Sequence, residues 1–265
     1  MVFSEEFEER VLKALKARKS KKETRRERAE EDYETVEEVF DKPTLMTLYN
    51  LLNKGYIGRV YGVVAAGKEA RIYWGEDCEG RDIAIKIFLV STVEFWKSRK
   101  MYIEGDPRFK YFRRDRRHLI RIWCSKEFKN LKLAHNAGIR VPKPITFQEN
   151  VLIMEFIGDP NERGRPAPLL KDMPPDDPDE AYRIIISYIK KAYKEAGLVH
   201  ADLSEYNIMN REQEYVIIDW GSGVKREHPN ALNFLRRDIN NITWYFKRLG
   251  VEVEQPDKVF CEIIS

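Results

Sequence analysis

Two neighbouring stretches, HADLSEYNIMN at residues 200–210 and YVIIDWG at residues 215–221, decide the fold class. In the first stretch, Asp202 and Asn207 are five positions apart in a predicted loop between a helix and a strand. In the second, Asp219 follows an apolar run that is typical of a buried strand. Twelve positions separate Asn207 from Asp219, and a hairpin of this length can bring the three polar side chains together.

Phosphoryl transfer needs these three residue types. One carboxylate takes or orients the proton of the attacking hydroxyl, while a second carboxylate and an amide oxygen hold Mg²⁺ against the phosphates. The protein-kinase signature is H-R-D-x-x-x-x-N followed by D-F-G. Here Ala201 replaces the arginine and Trp220 replaces the phenylalanine. The combined spacing favours this interpretation over a surface loop with a capping aspartate and an asparagine turn.

A lysine suited to phosphate binding lies upstream, in the stretch Ala84-Ile85-Lys86. Strand alternation places Ala84 and Lys86 on the same face, so the alanine can line an adenine pocket while the lysine reaches the phosphates. Such a lysine needs an acidic partner on the following helix. Glu127 is the best candidate because its neighbours on the helix are apolar, whereas Glu94 and Glu104 fall in an irregular stretch.

Two features depart from the ordinary kinase pattern. The stretch Gly62-Val-Val-Ala-Ala-Gly67 has no G-x-G-x-x-G, although a turn at Ala65, Ala66 and Gly67 can still bring backbone N–H groups near phosphates. Only 46 residues follow Asp219, and they contain no A-P-E. We therefore expect neither the usual activation segment nor the helices that bind peptide substrates.

Composition excludes several classes of protein. The 265 residues are 43% hydrophobic, enough for a packed core, and 47 basic against 44 acidic side chains give a net charge of only +3. Three widely spaced cysteines form neither a disulfide framework nor a zinc site. The first ten residues are acidic, unlike a signal peptide, and no apolar run approaches a membrane span. These features predict a soluble cytoplasmic protein with no membrane partner.

The order of predicted elements is α+β, with a sheet-rich first half and a helix-rich second half. We expect a charged helical extension at 1–41, an N-terminal lobe at 42–157 and a small helical C-terminal lobe at 158–265. Helices are predicted at 42–57, about 115–137, 180–197 and 230–250, the last of these ending the fold. A strand is predicted at 151–157, a hairpin meander before it, and a second hairpin around Asn207 and Asp219.

Several stretches together resemble the RIO family of atypical protein kinases, over about residues 45–250. They are GKEARIY, IAIKIF, STVEFWKSRKMYIEGDPRF, RIWCSKEFKNL, VHADLSEYNIM and VIIDWGSGV. The insert and the R-x-W-x-x-K-E-x-x-N-L stretch are similar to the RIO-one branch, in its archaeal type. The RIO-two branch carries a winged-helix domain in front, for which residues 1–40 are too short and too charged.

The resemblance implies a two-lobed kinase-like fold with a reduced C-terminal lobe, and it implies roles for individual residues. Asp202 would be the catalytic aspartate, and Asn207 and Asp219 would bind Mg²⁺ or Mn²⁺, with Asp219 also a candidate for an aspartyl phosphate. Lys86 would bind phosphate with Glu127 as its partner. The remaining nucleotide-binding residues would be Ala65, Ala66, Gly67, Lys68 and Glu69 in a reduced phosphate loop, Met154, Glu155, Phe156 and Ile157 in the hinge, and Ala84 and Ile218 in the pocket.

The resemblance also implies a function, namely an ATP-dependent Ser/Thr protein kinase that autophosphorylates and acts in maturation of the small ribosomal subunit. An ATPase switch that controls docking on the pre-ribosome shares every active-site residue, so the sequence leaves both open. A small-molecule kinase usually needs a large helical domain after the metal aspartate, for which 46 residues leave little room. A non-catalytic module is disfavoured by the intact Lys86, Asp202, Asn207 and Asp219.

A basic insert at residues 89–118 interrupts the N-terminal lobe. From Lys97 to Arg121 there are ten basic and three acidic residues, about +7 in one stretch, with Tyr102, Phe109, Tyr111 and Phe112 interleaved. Such a stretch favours contact with ribosomal RNA or an acidic assembly factor of the pre-small subunit. The alternative is a solvated face that pairs with the acidic N-terminal region. Ser91, Thr92 and Ser98 are candidate autophosphorylation sites.

Overall fold

The computed structural model describes residues 40–67, 69–89, 99–106, 108 and 115–265. The predicted charged helix at 1–41 therefore lies almost wholly outside the described residues, as do Lys68, the three candidate phosphorylation sites and much of the basic insert. Part of the insert is described, and residues 99–103 are helical, although the sequence shows no clear period there.

A five-stranded antiparallel sheet forms the first half of the molecule, with the strand order β1-β2-β3-β5-β4. Its strands are β1 (Arg59–Ala66), β2 (Ala70–Glu76), β3 (Asp82–Phe88), β4 (Pro144–Gln148) and β5 (Val151–Glu155). The predicted meander and the strand from residue 151 are confirmed. The sequence analysis missed β4, a five-residue edge strand that begins at a proline, where edge positions tolerate the missing N–H.

The two faces of β3 serve different parts of the fold. Ile83 and Ile85 pack with helix α1 (Lys42–Asn53) in one apolar cluster. Ala84 belongs instead to the larger cluster that contains helix α2 (Arg116–Asn136). The predicted alternation is confirmed, and Lys86 lies on the α2 side with Ala84.

Local sequence signals fix the ends of these helices. The Asp41 carboxylate accepts a hydrogen bond from the Thr44 amide and caps α1, which ends at Asn53, four residues before the predicted end. Asp115 accepts from the His118 amide and caps α2 in the same way. Gly138 follows α2 with φ +70°, the left-handed conformation that ends a helix.

The second half is mainly helical. Helix α3 (Pro178–Lys194) and helix α4 (Ala231–Arg248) flank a predicted hairpin, which is observed as β7 (Ile208–Arg211) and β8 (Glu214–Ile217). A two-stranded sheet of β6 (Leu198–Val199) and β9 (Val224–Lys225) lies beside it. The expectation that α4 is the last helix is wrong. Helix α5 (Pro256–Ile264) follows it and buries Val259, Phe260 and Ile263.

In the described part of the chain, no helix is both long enough and apolar enough to cross a membrane.

Candidate active site

Three predicted residues from distant parts of the sequence meet between the sheet and the hairpin. The Lys86 ammonium donates to both oxygens of the Glu127 carboxylate, at 2.7 and 2.9 Å, and to Oδ1 of Asp219 at 3.0 Å. Strand β3 supplies the lysine, α2 supplies the glutamate, and the turn after β8 supplies the aspartate. The predicted lysine–glutamate pair is therefore formed, and Asp219 joins it.

Burial and charge act in opposite directions on these groups. Burial lowers the pKa of Lys86, but the charges of Asp219 and Glu127 outweigh it, so that the pKa of the lysine is raised overall. The neighbouring lysine charge holds the pKa of Asp219 below its usual value. Burial raises the pKa of Glu127, which is only 1% exposed. Asp219 differs from Glu127 because 51% of its side chain is accessible to solvent.

One side-chain and one backbone hydrogen bond hold the loop around Asp202. Nδ2 of Asn207 donates to the carbonyl oxygen of Asp202 at 2.8 Å. The amide of Ile218 donates to the carbonyl oxygen of Asn207 at 2.9 Å. The residue before Asp219 is thereby tied to the predicted metal-binding asparagine. Partial burial raises the pKa of Asp202, and the nearby Asp219 charge also raises it.

Behind this loop, His200 is buried and lies 2.9 Å through Nε2 from the carbonyl oxygen of Ile218. Its ring contacts Trp220 edge-on, with centroids 4.8 Å apart. Burial lowers the pKa of His200, so the neutral ring donates to the carbonyl. Asp219 has φ +60°, a conformation that is uncommon outside glycine and here aims its carboxylate at Lys86.

The residues present fit a hard divalent cation. Because Nδ2 of Asn207 is bonded to Asp202, its Oδ1 remains available as an oxygen ligand, in addition to the Asp219 carboxylate. Among the described residues, no group of three or more His, Cys, Asp or Glu side chains could hold a metal by itself. One or two protein oxygens completed by substrate phosphates is the usual arrangement for Mg²⁺.

The predicted phosphate loop begins at the end of β1 and continues into the turn before β2. Ala65, Ala66 and Gly67 are exposed at the end of β1, and the Gly67 amide donates to the carbonyl oxygen of Ala70 at 3.0 Å. Glu69 forms an ion pair with Arg99 of the insert, which also stacks over Trp123 with its guanidinium carbon 4.5 Å from the ring centre. Lys68 lies outside the described residues.

The predicted hinge begins with the last two residues of β5. Met154 pairs in register with Ala84 across β3 and β5, so these two predicted pocket residues are neighbours. Ile157 belongs to a small apolar cluster against which Ile218 packs. The Glu155 carboxylate accepts two hydrogen bonds from the Arg140 guanidinium, each 2.8 Å long.

Arg140 also ties the hinge to the second half of the molecule. Its Nε donates to Oε1 of Glu214 in β8 at 2.9 Å, and its carbonyl oxygen accepts from the Ile217 amide at 2.9 Å. The Glu155 side chain is therefore engaged with Arg140, which leaves the backbone of the hinge as the part that can meet a nucleobase.

Comparison with known proteins decides the family. The RIO domain model matches residues 71–259. The chain is 40% identical to the RIO-type serine/threonine-protein kinase Rio1 of Haloferax volcanii, over 82% of this chain and 73% of that protein. It is 43% identical to the Rio1 of Methanocaldococcus jannaschii, over 83% of this chain and 74% of that protein.

The chain belongs to the RIO family. Its enzyme class is therefore that of the serine/threonine-protein kinases, the name that its RIO relatives carry. A longer relative, the human serine/threonine-protein kinase RIO1, is 37% identical over 84% of this chain and 39% of its own length.

The fold agrees with this assignment. A crystal structure of the Rio2 kinase-ADP/Mg²⁺-phosphoaspartate complex from Chaetomium thermophilum superposes with a TM-score of 0.63 at 22% identity. The match covers 83% of this chain and 65% of that chain. The two-lobed, kinase-like RIO fold predicted from the sequence is confirmed.

The sequence analysis missed the residues that hold this RIO site from behind. Asp238 of α4 accepts hydrogen bonds from the amides of Ala201 and Leu203, at 2.7 and 3.0 Å. Nδ2 of Asn241 donates to the carbonyl oxygen of Leu203 at 3.0 Å. Burial raises the pKa of Asp238 to about 7, although both amides favour its ionised form. Asp238 lies on the buried, apolar face of α4. A charged residue at an apolar position of a helical pattern could have pointed to it in the sequence.

Proposed function

We propose that the chain transfers the γ-phosphoryl group of ATP to serine or threonine hydroxyls of proteins, including its own, with Mg²⁺ or Mn²⁺. The observation that supports this most strongly is the contact of Lys86 with both Glu127 and Asp219. A lysine cation beside an exposed carboxylate is the pairing that phosphoryl transfer uses to bind phosphate and metal. We further propose that the nucleotide lies between a lobe at 42–157 and a lobe at 158–265.

In the proposed reaction, the acceptor hydroxyl passes its proton to the Asp202 carboxylate. The hydroxyl oxygen forms the new bond to the γ-phosphorus while the bond from that phosphorus to the bridging oxygen breaks, and ADP leaves. The raised pKa of Asp202 supports its role as the base. Asn207 and Asp219 would hold the metal, which neutralises phosphate charge when bound, and Lys86 would orient the phosphates.

An ATPase switch is the second candidate, with Asp219 as the phosphoacceptor. The accessible Asp219 carboxylate favours it, and a phosphoaspartate is part of the Rio2 kinase complex named above. In this version an Asp219 oxygen would attack the γ-phosphorus, ADP would leave, and water would later hydrolyse the acyl phosphate. The free energy of turnover would then drive docking on or release from a partner.

We propose that this partner is the pre-small ribosomal subunit in the cytoplasm, a proposal that rests on the family resemblance. The described basic residues of the insert region are engaged with carboxylates: Arg99 with Glu69, Lys100 with Glu104, Arg108 with Asp106, Arg117 with Asp41 and Arg121 with Glu149. Contact with ribosomal RNA or an acidic assembly factor therefore rests on the basic side chains that the structure does not describe: Lys97, Lys110, Arg113, Arg114 and Arg116.

Single-turnover assays with γ-labelled ATP, with and without small ribosomal subunits, test both candidates. A protein kinase should give acid-stable phosphoserine or phosphothreonine, on itself or on a subunit protein. A switch should give a hydroxylamine-sensitive acyl phosphate and phosphate release that subunits stimulate. If neither product forms and ATP is not consumed, the proposed chemistry is wrong.

A further inference from the structure

Helix α2 presents a second buried polar pair beside Glu127. Lys126 and Asn130 are four positions apart, on one face of the helix, and both side chains are 0% exposed. Neither contributes to the lysine–glutamate pair. A fully buried lysine is rare and has to be satisfied by strong partners, so its contacts show what it does.

Lys126 contacts the loop that begins at Asp219. Its ammonium donates to the carbonyl oxygen of Gly221 at 2.7 Å and to that of Gly223, and it lies 5.0 Å from the ring centre of Trp123. Burial pushes the pKa of Lys126 well below its usual range. Even a neutral amine keeps two hydrogens, so both carbonyls can be bonded in either protonation state.

Asn130 adds two contacts with the same loop and one with the insert. Its Nδ2 donates to the carbonyl oxygens of Trp220 and Gly223, each at 2.8 Å. Its Oδ1 accepts from Nη1 of Arg108 at 2.7 Å. Arg108 is bound in turn to Asp106, with Nη2 2.6 Å from Oδ2, and that carboxylate is only 2% exposed.

The glycines of the loop permit this close approach. A Cβ at Gly221 would lie 2.9 Å from Nε1 of Trp123 and 3.2 Å from Oε2 of Glu127. A Cβ at Gly223 would lie 3.0 Å from Nδ2 of Asn130. The backbone that follows Asp219 is therefore packed directly on α2, the helix that also orients Lys86 through Glu127.

We propose that Lys126 and Asn130 are positioning residues for the metal ligand Asp219, and that Arg108 links this brace to the insert. The helix then fixes both the lysine and the metal aspartate of one site. Because Arg108 contacts Asn130, a partner that displaces the Asp106–Arg108 pair would loosen the loop and lower metal affinity. This inference rests on the proposed phosphoryl transfer at the same site.

The experiment measures Mg²⁺ binding rather than turnover. A fluorescent ADP analogue is titrated onto the full chain at increasing Mg²⁺, for wild type, Lys126→Met, Asn130→Ala and Arg108→Met. Lys132→Met, an exposed lysine on the same helix, is the matched control. Loss of groups that orient a metal ligand typically costs about 10–100-fold in metal affinity. We expect Lys126→Met to lower Mg²⁺ affinity by about tenfold and Arg108→Met to lower it by less. The control should keep the wild-type Mg²⁺ affinity, and nucleotide binding without metal should not change.

A double-mutant cycle tests the link to the insert. If Arg108 acts through Asn130, Arg108→Met should have no further effect on Mg²⁺ affinity in the Asn130→Ala background. Additive effects would overturn the link, and an unchanged Mg²⁺ midpoint in folded Lys126→Met would overturn the brace. If Lys126→Met does not fold, Asn130→Ala decides in the same way. Wild type without Mg²⁺-dependent nucleotide binding would instead contradict the proposed function itself.

Discussion

The floor and the roof of the candidate cleft are built on opposite principles. The floor consists of Lys86, Glu127 and Asp219, in which the lysine bonds to both carboxylates at 2.7–3.0 Å. The roof, at Ala65, Ala66 and Gly67, is exposed and consists of small residues, and the adjoining Glu69 of the predicted loop is held by Arg99. The pairing of β1 with β2 is also irregular near the roof, with a register shift between Val63 and Ala65.

This difference explains which part of the site leaves a sequence signature. Groups that act through a charged side chain must be one particular residue type at one position. A turn that offers backbone N–H groups can be built from several small residues. The predictions below test whether the floor is fixed by side chains and the roof by backbone.

The largest effect is expected from a residue that belongs to neither wall. Asp202→Asn should lower kcat by about 10²–10⁴, the usual contribution of a general base, while ATP binding is kept. The raised pKa of Asp202 has a further consequence. Wild-type activity should be present above this pKa and fall as the pH drops through it, because the base must be ionised.

The measurements are autophosphorylation rate against pH and ATP affinity by titration. Asp172→Asn, at an exposed aspartate, serves as the control. Autophosphorylation of Asp202→Asn at near wild-type rate would show that another group takes the proton.

Breaking the floor should cost stability as well as activity. Lys86→Met leaves the buried Glu127 without its partner, and removal of one member of a buried ion pair typically costs about 3–5 kcal/mol. Replacing both, as in Lys86→Met with Glu127→Met, should restore much of the stability but no activity, since two apolar groups need no pairing. Urea unfolding measures both free energies. A loss within the ~0–1 kcal/mol of an exposed pair would mean that the floor is not fixed by this contact.

The two proposed metal ligands, Asp219 of the floor and Asn207 of the loop that follows Asp202, should differ. Asp219→Ala removes a charged oxygen and Asn207→Ala only a neutral one, so the aspartate should matter more for Mg²⁺-dependent nucleotide binding. We expect Asp219→Ala to lower Mg²⁺ affinity by at least about tenfold. That is the smaller loss seen when a group that only orients a metal ligand is removed. Equal ATP affinity with and without Mg²⁺ in wild type would contradict the metal site.

The roof should show the smallest effects. A Cβ at Gly67 would lie 3.5 Å from the carbonyl oxygen of Ala70, an ordinary contact, so Gly67→Ala should change binding by no more than about 0.5 kcal/mol. Gly67→Pro also deletes the N–H that bonds to Ala70, and it should weaken ATP binding by about 0.5–1.5 kcal/mol. Comparing the ATP affinities of the two variants shows whether backbone or side chain matters. Equal losses would argue against a backbone-built roof.

Much of the floor could be predicted from the sequence because its parts lie on regular elements. Alternation along β3 gives the face of Lys86, and the apolar neighbours of Glu127 give its face on α2. The contact between them spans 41 positions and could be named only because both residue types are constrained by their role.

The sequence analysis missed other residues of the site for a different reason. Lys126, Asn130 and Asp238 hold backbone groups of loops that are 35 or more positions away in the sequence. A backbone carbonyl or amide belongs to every residue, so it leaves no partner to look for in the sequence. Helix α5 and the edge strand β4 were missed because they are short, with only nine and five residues.

The contacts of Arg140 have a mechanical consequence. Its guanidinium joins Glu155, at the end of β5, to Glu214 in β8, so the end of the strand is fixed to the second half of the molecule. Any movement of the sheet relative to the second half that keeps these bonds has to turn about Arg140, because rotation about the backbone after Glu155 alone would break them. The pivot of such a movement would then lie at this contact, and its lever arm would be the whole sheet.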